Sequence, residues 1–370
     1  MTGVQTCALP ISSALQRKGV SANELRRHVV ALNVGSIVTV ITRPDAFTDA
    51  QWQDARGRLL AQGFKILLGP DTAFDAVTST LLSDKADAAF FDSLAENIAP
   101  STDDNPFFFF TSRLGDFANM HSWVTMNNNA AISMTGLLIL VALCACFYYI
   151  VLPFFRLARR MPLSTLTPPM AYFSAIGMGF MLIEISQMQR LMVFLGHPVY
   201  GLSVVLFTIL LFSGIGSATV GADAPRPRAI ILRVAALLIT LLVAGLLTPL
   251  VTIWARSLAT DMRILVSVLL LAPPAFCMGM MFPLGLNIWR RHHELLPFFW
   301  STNGITSMLA SVLGMALSIQ FGIAKTYALG ACFYVVCAIV IVVSRRANAV
   351  VTSDAKVMSP GQCTSGRACP

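Results

Sequence analysis

Ala130–Leu152 reads AAISMTGLLILVALCACFYYIVL, with no Asp, Glu, Lys or Arg. A hydrocarbon layer about 30 Å thick is crossed by roughly 20 helical residues, so this stretch can span a bilayer as one helix. It is not alone. From Ala130 onward such uncharged blocks run for 19 to 32 residues each, and all but the last exceed the length of a span. They predict helices at 130–152, 168–189, 199–221, 233–254, 264–288, 298–320 and 326–344, the third and sixth blocks being long enough to include interfacial segments. A soluble core needs no such blocks. Only 12% of residues are charged, about half the usual share for a soluble domain, and the mean hydropathy is +0.70. The expected fold is an all-α polytopic membrane protein of about seven transmembrane helices, with the lipid bilayer as its first partner.

The net charge of +8 does not point to nucleic acid, because the basic residues sit in short loops between apolar blocks. With seven spans, Arg156, Arg159, Arg160, Arg226, Arg228, Arg290, Arg291, Arg345 and Arg346 fall on the side of the C-terminus. Arg190, Arg256, Arg263 and Lys325 fall on the other. The imbalance places the C-terminus in the cytoplasm. The eight cysteines form no CxxC pair and no zinc-type spacing with histidine. Cys144, Cys146, Cys277, Cys332 and Cys337 lie in apolar spans, where cysteine behaves as a small hydrophobe. A disulfide between Cys363 and Cys369 has no support in their spacing.

Upstream, residues 1–11 (MTGVQTCALPI) resemble a translated sequencing adapter and lack the basic and apolar regions of a signal peptide. Residues 12–110 read as soluble α/β. Strand-like runs at His28–Leu32 and Ile37–Ile41 flank a turn at Asn33-Val34-Gly35. Thr48 caps a helix to about Gln62 with Trp52, Ala55 and Leu59 on one face, Gly63 stops it, and Phe64–Leu68 follows as a strand. Asp103 and Asp104 before Pro106 read as a turn rather than a metal or acid/base pair, since adjacent turn residues seldom converge on one ligand. Phe107–Phe110 and Trp123 suit the approach to an interface, making 111–129 an interfacial linker. The transmembrane domain is 130–345, and 346–370 reads as a disordered tail.

A shift of 100 residues aligns Ala175, Met178, Gly179, Met181 and Arg190 with Ala275, Met278, Gly279, Met281 and Arg290, sets Gln187 opposite Asn287, and pairs Gly214 with Gly314. This relates spans 2–4 to spans 5–7 behind a lead helix. An odd number of spans per unit inverts each copy, the 3+3 pattern of many transporters.

Glu184 is the only acidic residue within a predicted span, and an ionisable group there should face protein or water. Gln187 shares its helical face. Gln189 and Arg190 close that helix, and Leu195-Gly196-His197-Pro198 leads into the next. Two readings stand side by side. Glu184, Gln187, Arg190 and His197 could form a proton- or cation-coupled polar site, or Glu184 could be neutralised by Arg190 and hold helices together. Pro273-Pro274 and Pro283 should kink or break span 5. Asn303, Gly304, Ser307, Ser311 and Gly314 give span 6 a small polar stripe, suited to close helix packing or to a substrate-lining face. The closely spaced glycines, Gly177/Gly179 and Gly214/Gly216, lie within spans and follow no soluble strand, so they form no nucleotide-binding loop. No catalytic residue emerges.

Several ordered motifs carry a resemblance: Thr102-Asp-Asp-Asn-Pro-Phe-Phe-Phe109, Gly179-Phe-Met-Leu-Ile-Glu-Ile185, Gln189-Arg190, Leu195-Gly-His-Pro198, Met278-Gly-Met-Met-Phe-Pro-Leu-Gly285 and Trp300-Ser-Thr-Asn-Gly304. Over residues 20–345 the chain resembles the C-terminal part of bacterial membrane proteins that join a spermidine-synthase-like domain to a major-facilitator-like region. Asn105 departs from that pattern, which has arginine there, and no ion pair is carried over at this position. The resemblance implies that 12–110 is the end of a Rossmann-like domain whose S-adenosyl site and aminopropyl-transfer acid lie upstream. It implies no cofactor and no catalytic residue within the chain itself. It further implies a membrane domain that binds or transports a small cationic solute such as a polyamine, or one that only anchors an aminopropyltransferase or methyltransferase-like domain. Adenosyl substrates are cytoplasmic, whereas the charge imbalance puts 12–110 outside.

Overall fold

The computed structural model describes Ile11 and residues 14–16, 18–34, 37–72, 80, 90, 93, 101–107, 130–221 and 226–357; of 22–23, 34, 37, 130–133, 293 and 345–357 it describes the backbone alone. The adapter-like residues before Ile11, the linker beyond Phe107 with Trp123, and Cys363 and Cys369 lie outside the described residues. The chain divides into two compact units after Ile132.

In the first unit β1 (Val29–Val34) and β2 (Ile37–Thr42) form an antiparallel hairpin in which Val34 pairs with Ile37. Asn33 and Val34 therefore belong to the strand and not to the turn expected there. α1 (Asp49–Ala61) and β3 (Lys65–Leu68) follow, in the sheet order β2-β1-β3. Because β1 is antiparallel to both neighbours, β2 and β3 run parallel to each other and α1 is the crossover between them. The central strand alternates as a strand must. Val30 and Leu32 pack beneath Trp52, while Val29 and Ala31 pack with Leu25 and Leu68 on the other face.

Thr48 caps α1 reciprocally: its Oγ1 accepts from Gln51 N at 3.3 Å and Gln51 Oε1 accepts from Thr48 N at 3.2 Å. Gly63, at φ +82°, ends the turn after it. The Trp52 indole donates to Asp71 at 2.7 Å and the ring covers Gly69, where a Cβ would come within 2.6 Å of it. Thr102 and Asn105 exchange backbone hydrogen bonds at 3.0 and 3.2 Å, so Asp103 and Asp104 form the tip of a tight turn, as expected.

In the second unit seven helices are long and apolar enough to cross a membrane. α2 (Ala130–Cys146) runs through one π-helical turn (Phe147–Val151) into α3 (Leu152–Ala158), the two making the first span. Then come α4 (Leu163–Leu195), α5 (Pro198–Ala218), α6 (Pro227–Trp254), α7 (Thr260–Ile288), α8 (Leu296–Phe321) and α9 (Ile323–Val357).

Two expectations are corrected and a third, a kink or a break in span 5, is narrowed. Gln189 and Arg190 do not close α4, which continues to Leu195; the stop is Gly196, left-handed at φ +75°. α7 does not break at Pro273, Pro274 or Pro283. Proline removes donors, but apolar surroundings offer the backbone no competing partner, so the helical path persists. α9 continues to Val357 instead of ending at Arg346, because no proline or glycine interrupts the chain before Pro360.

α4 is the most buried of the seven spans and packs against α5, α7, α8 and α9. The strongest pairings are α5 with α7, α4 with α9 and α4 with α8, and glycines let the backbones meet. A Cβ on Gly177 would strike Asn303 O and the Thr306 and Ser307 hydroxyls. On Gly216 it would strike the Phe276 carbonyl, and on Gly279 the Ser213 backbone.

Candidate functional site

α4, α5, α7 and α8 line an open cavity of about 420 Å³. α4 contributes Ile176, Phe180 and Met181, α5 Ser213, Gly214 and Ser217, α7 Met278, Gly279 and Phe282, and α8 Asn303 and Ser307. Close approach at the glycines brings the four helices together, and the short side chains beside those contacts leave the space. Its lining is mostly apolar, with hydroxyls and one amide. The Asn303 Oδ1 atom is buried and has no hydrogen-bond partner, as has the Thr302 hydroxyl beside it.

Glu184 does not line the cavity. It stands four residues past Phe180 on the same stripe of α4 as Ile176 and Phe180, roughly 6 Å further along the helix. It is half-buried, and among the described residues no hydrogen bond or ion pair reaches it. Neutralisation by Arg190 is not realised, because six residues separate them and Arg190 points roughly 120° round the helix.

Gln187 and Arg190 instead face α9 and α6. Gln187 is 2% exposed and hydrogen-bonds the Tyr327 hydroxyl, which the charge of Arg190 also reaches. That hydroxyl in turn donates to Leu241 O at 2.7 Å. Gln187 Oε1 is left without a donor. His197 is exposed at the start of α5, where its Nδ1 accepts from Val199 N at 3.3 Å and its ring lies 5.5 Å from that of Tyr200. From Glu184 to that cap is about 20 Å along the helix, so His197 is a helix cap and not part of a site with Glu184.

Of the five candidate residues, then, Asn303 lines the cavity, Glu184 lies one turn beyond it, Gln187 and Arg190 belong to a different helix contact, and His197 is remote. The stripe on α8 also divides. Asn303 and Ser307 face the cavity and α4, Gly314 packs on Leu182 and Ile185, and Gly304 meets nothing. Ser213 and Ser217 escaped sequence reasoning, although the run Ser213-Gly-Ile-Gly-Ser217 is a visible cluster of small residues in an otherwise bulky span. No group of three or more His, Cys, Asp or Glu converges among the described residues. No protein-family model, curated protein or solved structure matches the chain.

Proposed function

We propose that this is a membrane protein that binds a small cationic amine between α4, α5, α7 and α8, with Glu184 as its counter-charge. The observation that carries the reading is a pair of acceptors lacking donors. Glu184, half-buried and without a partner among the described residues, stands a turn away from the cavity that holds the unpaired Asn303 Oδ1. A carboxylate and an amide oxygen in apolar surroundings both call for a donor, and an alkylammonium supplies several together with an apolar stem suited to Phe180 and Phe282. An ionisable residue within a span is by default a functional candidate.

The crossed pairing of α4 with α8 and α5 with α7 supports an inverted 3+3 repeat, since each unit lends its second helix to the first helix of the other. The arginine imbalance supports a cytoplasmic C-terminus, and the family resemblance a bacterial inner membrane. On this reading the chain is the membrane part of a spermidine-synthase-like fusion, whose S-adenosyl ligand and transferase chemistry belong to upstream sequence.

The test is spermidine binding to the full chain in nanodiscs, by calorimetry, with Glu184→Gln and Asn303→Leu. Loss of the counter-charge should weaken binding at least tenfold, and loss of the amide by a smaller factor. Unchanged affinity in both variants would overturn the site. An absence of binding in the native chain, with uptake also absent in proteoliposomes, would leave the anchoring role.

A further inference from the structure

A second cavity of about 420 Å³ lies between α6 and α9, lined only by Ile230, Ile231, Val234, Ala235, Leu238, Ala338, Ile341 and Val342. Its shape follows from how the two helices meet. At one end they are locked together: Tyr327 donates to Leu241 O, and the Tyr327 ring lies where a Cβ on Gly245 would be, at 2.7 Å. Towards the start of α6 the space between them is filled by no side chain of the described residues, and its outer wall is exposed, with Ile231 at 63% and Val342 at 48%.

The open end carries charge. Arg226 and Arg228 stand at the first turn of α6, exposed, and neither side chain makes an ion pair or hydrogen bond among the described residues. Helix positions place them on either side of the stripe formed by Ile230, Val234 and Leu238. Arg233, a turn further in, is already engaged, donating to Thr219 O at 3.1 Å. On α9, positions 345 and 346 continue the stripe of 338, 341 and 342, and both are arginine in the sequence. An aliphatic slot ending in Arg226 and Arg228 is complementary to an apolar chain with an anionic head.

We propose that this groove binds one acyl chain of an anionic phospholipid, with Arg226 and Arg228 holding the phosphate. The aliphatic walls offer a chain dispersion contacts and no polar atom to desolvate. The arginines distinguish a net-negative headgroup from a zwitterionic one, because guanidinium pairs with phosphate in either case but is left with repulsion from a choline or ethanolamine cation in the second. The site is independent of the amine site between α4, α5, α7 and α8.

Native mass spectrometry of the full chain in mild detergent, titrated with phosphatidylglycerol or phosphatidylcholine, tests this. The native chain should retain one phosphatidylglycerol in preference to phosphatidylcholine. Arg226→Gln with Arg228→Gln should weaken phosphatidylglycerol alone, by about fivefold per arginine, and erase the preference. Ala338→Phe, which fills the slot, should remove both lipids, and glycerol phosphate without chains should not bind. Equal retention of the two lipids by the native chain overturns the proposal. So does a filled variant that binds as the native chain does, including one that changes only the oligomeric mass, which would assign the groove to a second copy. The arginine variant keeps the test decisive if Ala338→Phe does not fold, since Arg226 makes no side-chain cap bond to α6.

Discussion

Gly214 and Gly216 are two residues apart on α5, yet substitution by alanine should change stability in opposite directions. Glycine in a helix costs about 0.8–1 kcal/mol relative to alanine. At Gly214 a Cβ meets nothing within 4 Å, so Gly214→Ala should recover most of that. At Gly216 the same methyl runs into the carbonyl group of Phe276 on α7. The obstacle is backbone, which cannot rotate aside as a side chain would, so the helices must separate. Overpacking of this kind costs about 1–3 kcal/mol, more than the propensity gain. The propensity gain is common to both, so the two variants should differ by the overpacking cost of about 1–3 kcal/mol, on the order of 2–12 °C in melting temperature. Gly279→Ala, which drives a methyl into the Ser213 backbone from the other side, should behave as Gly216→Ala does. Thermal unfolding of the full chain in one detergent, followed by circular dichroism, reads all three. Equal melting temperatures for Gly214→Ala and Gly216→Ala would refute the close approach of α5 and α7.

In the first unit, burial works against the Asp71 carboxylate, but hydrogen bonds from Trp52 and Thr72 and the charge of Arg56 at 2.6 Å outweigh it and hold its pKa below the usual 3.8. A depressed carboxylate stabilises the fold above its unfolded pKa, and the contribution fades as pH falls through the folded value. In a variant keeping Trp52 as its only tryptophan, fluorescence should therefore shift only at pH below 3.8, and Asp71→Asn should abolish the transition; a midpoint above the ordinary carboxylate range would contradict this. In the second unit, Tyr327→Phe removes the donor to Leu241 O and strands the Gln187 amide, at a cost of about 1–3 kcal/mol. The same change at Tyr200, half exposed at the start of α5, is the control, and equal losses would show that the Tyr327 hydroxyl holds nothing.

All seven spans are legible in the sequence because crossing hydrocarbon is a requirement on length and charge, both of which a sequence displays directly. α1 is legible for a related reason: the Thr48–Gln51 box and Gly63 are local signals that act within a turn of where they stand. Helix ends inside the membrane domain are not. Arg190 resembles a terminus because charge usually marks the interface, whereas here Gln187, Tyr327 and Leu241 supply a polar contact on its side of α4 and Gly196 ends the helix instead. The grouping of Glu184, Gln187, Arg190 and His197 fails for a geometric reason. Nearness in sequence fixes angles around a helix but not which neighbour each angle meets, and in α4 those angles lead to different helices. Residue matches in the 100-residue shift mislead in the same way. Gly179 packs on Gly330 and Tyr334 of α9, while its counterpart Gly279 packs on Ser213 of α5.

The pairing of the helices bears on the cavity between them. Gly177 locks α4 to α8, and Gly216 with Gly279 locks α5 to α7, so neither pair can separate without exposing the backbones it buries. The cavity is the seam between these two pairs. The polar ties across that seam lie at its ends. Tyr172 donates to Met281 O at 2.9 Å beside the stack of Phe173 on Phe299 at 4.8 Å, and towards the far end Arg263 of α7 donates to Phe194 O of α4 at 3.0 Å. Between them stand the cavity's apolar lining, the short side chains of Ser213, Ser217 and Ser307, and the unpaired Asn303 amide. The two polar ties between the helix pairs thus bracket the cavity, with Glu184 on the stripe of α4 that runs between them.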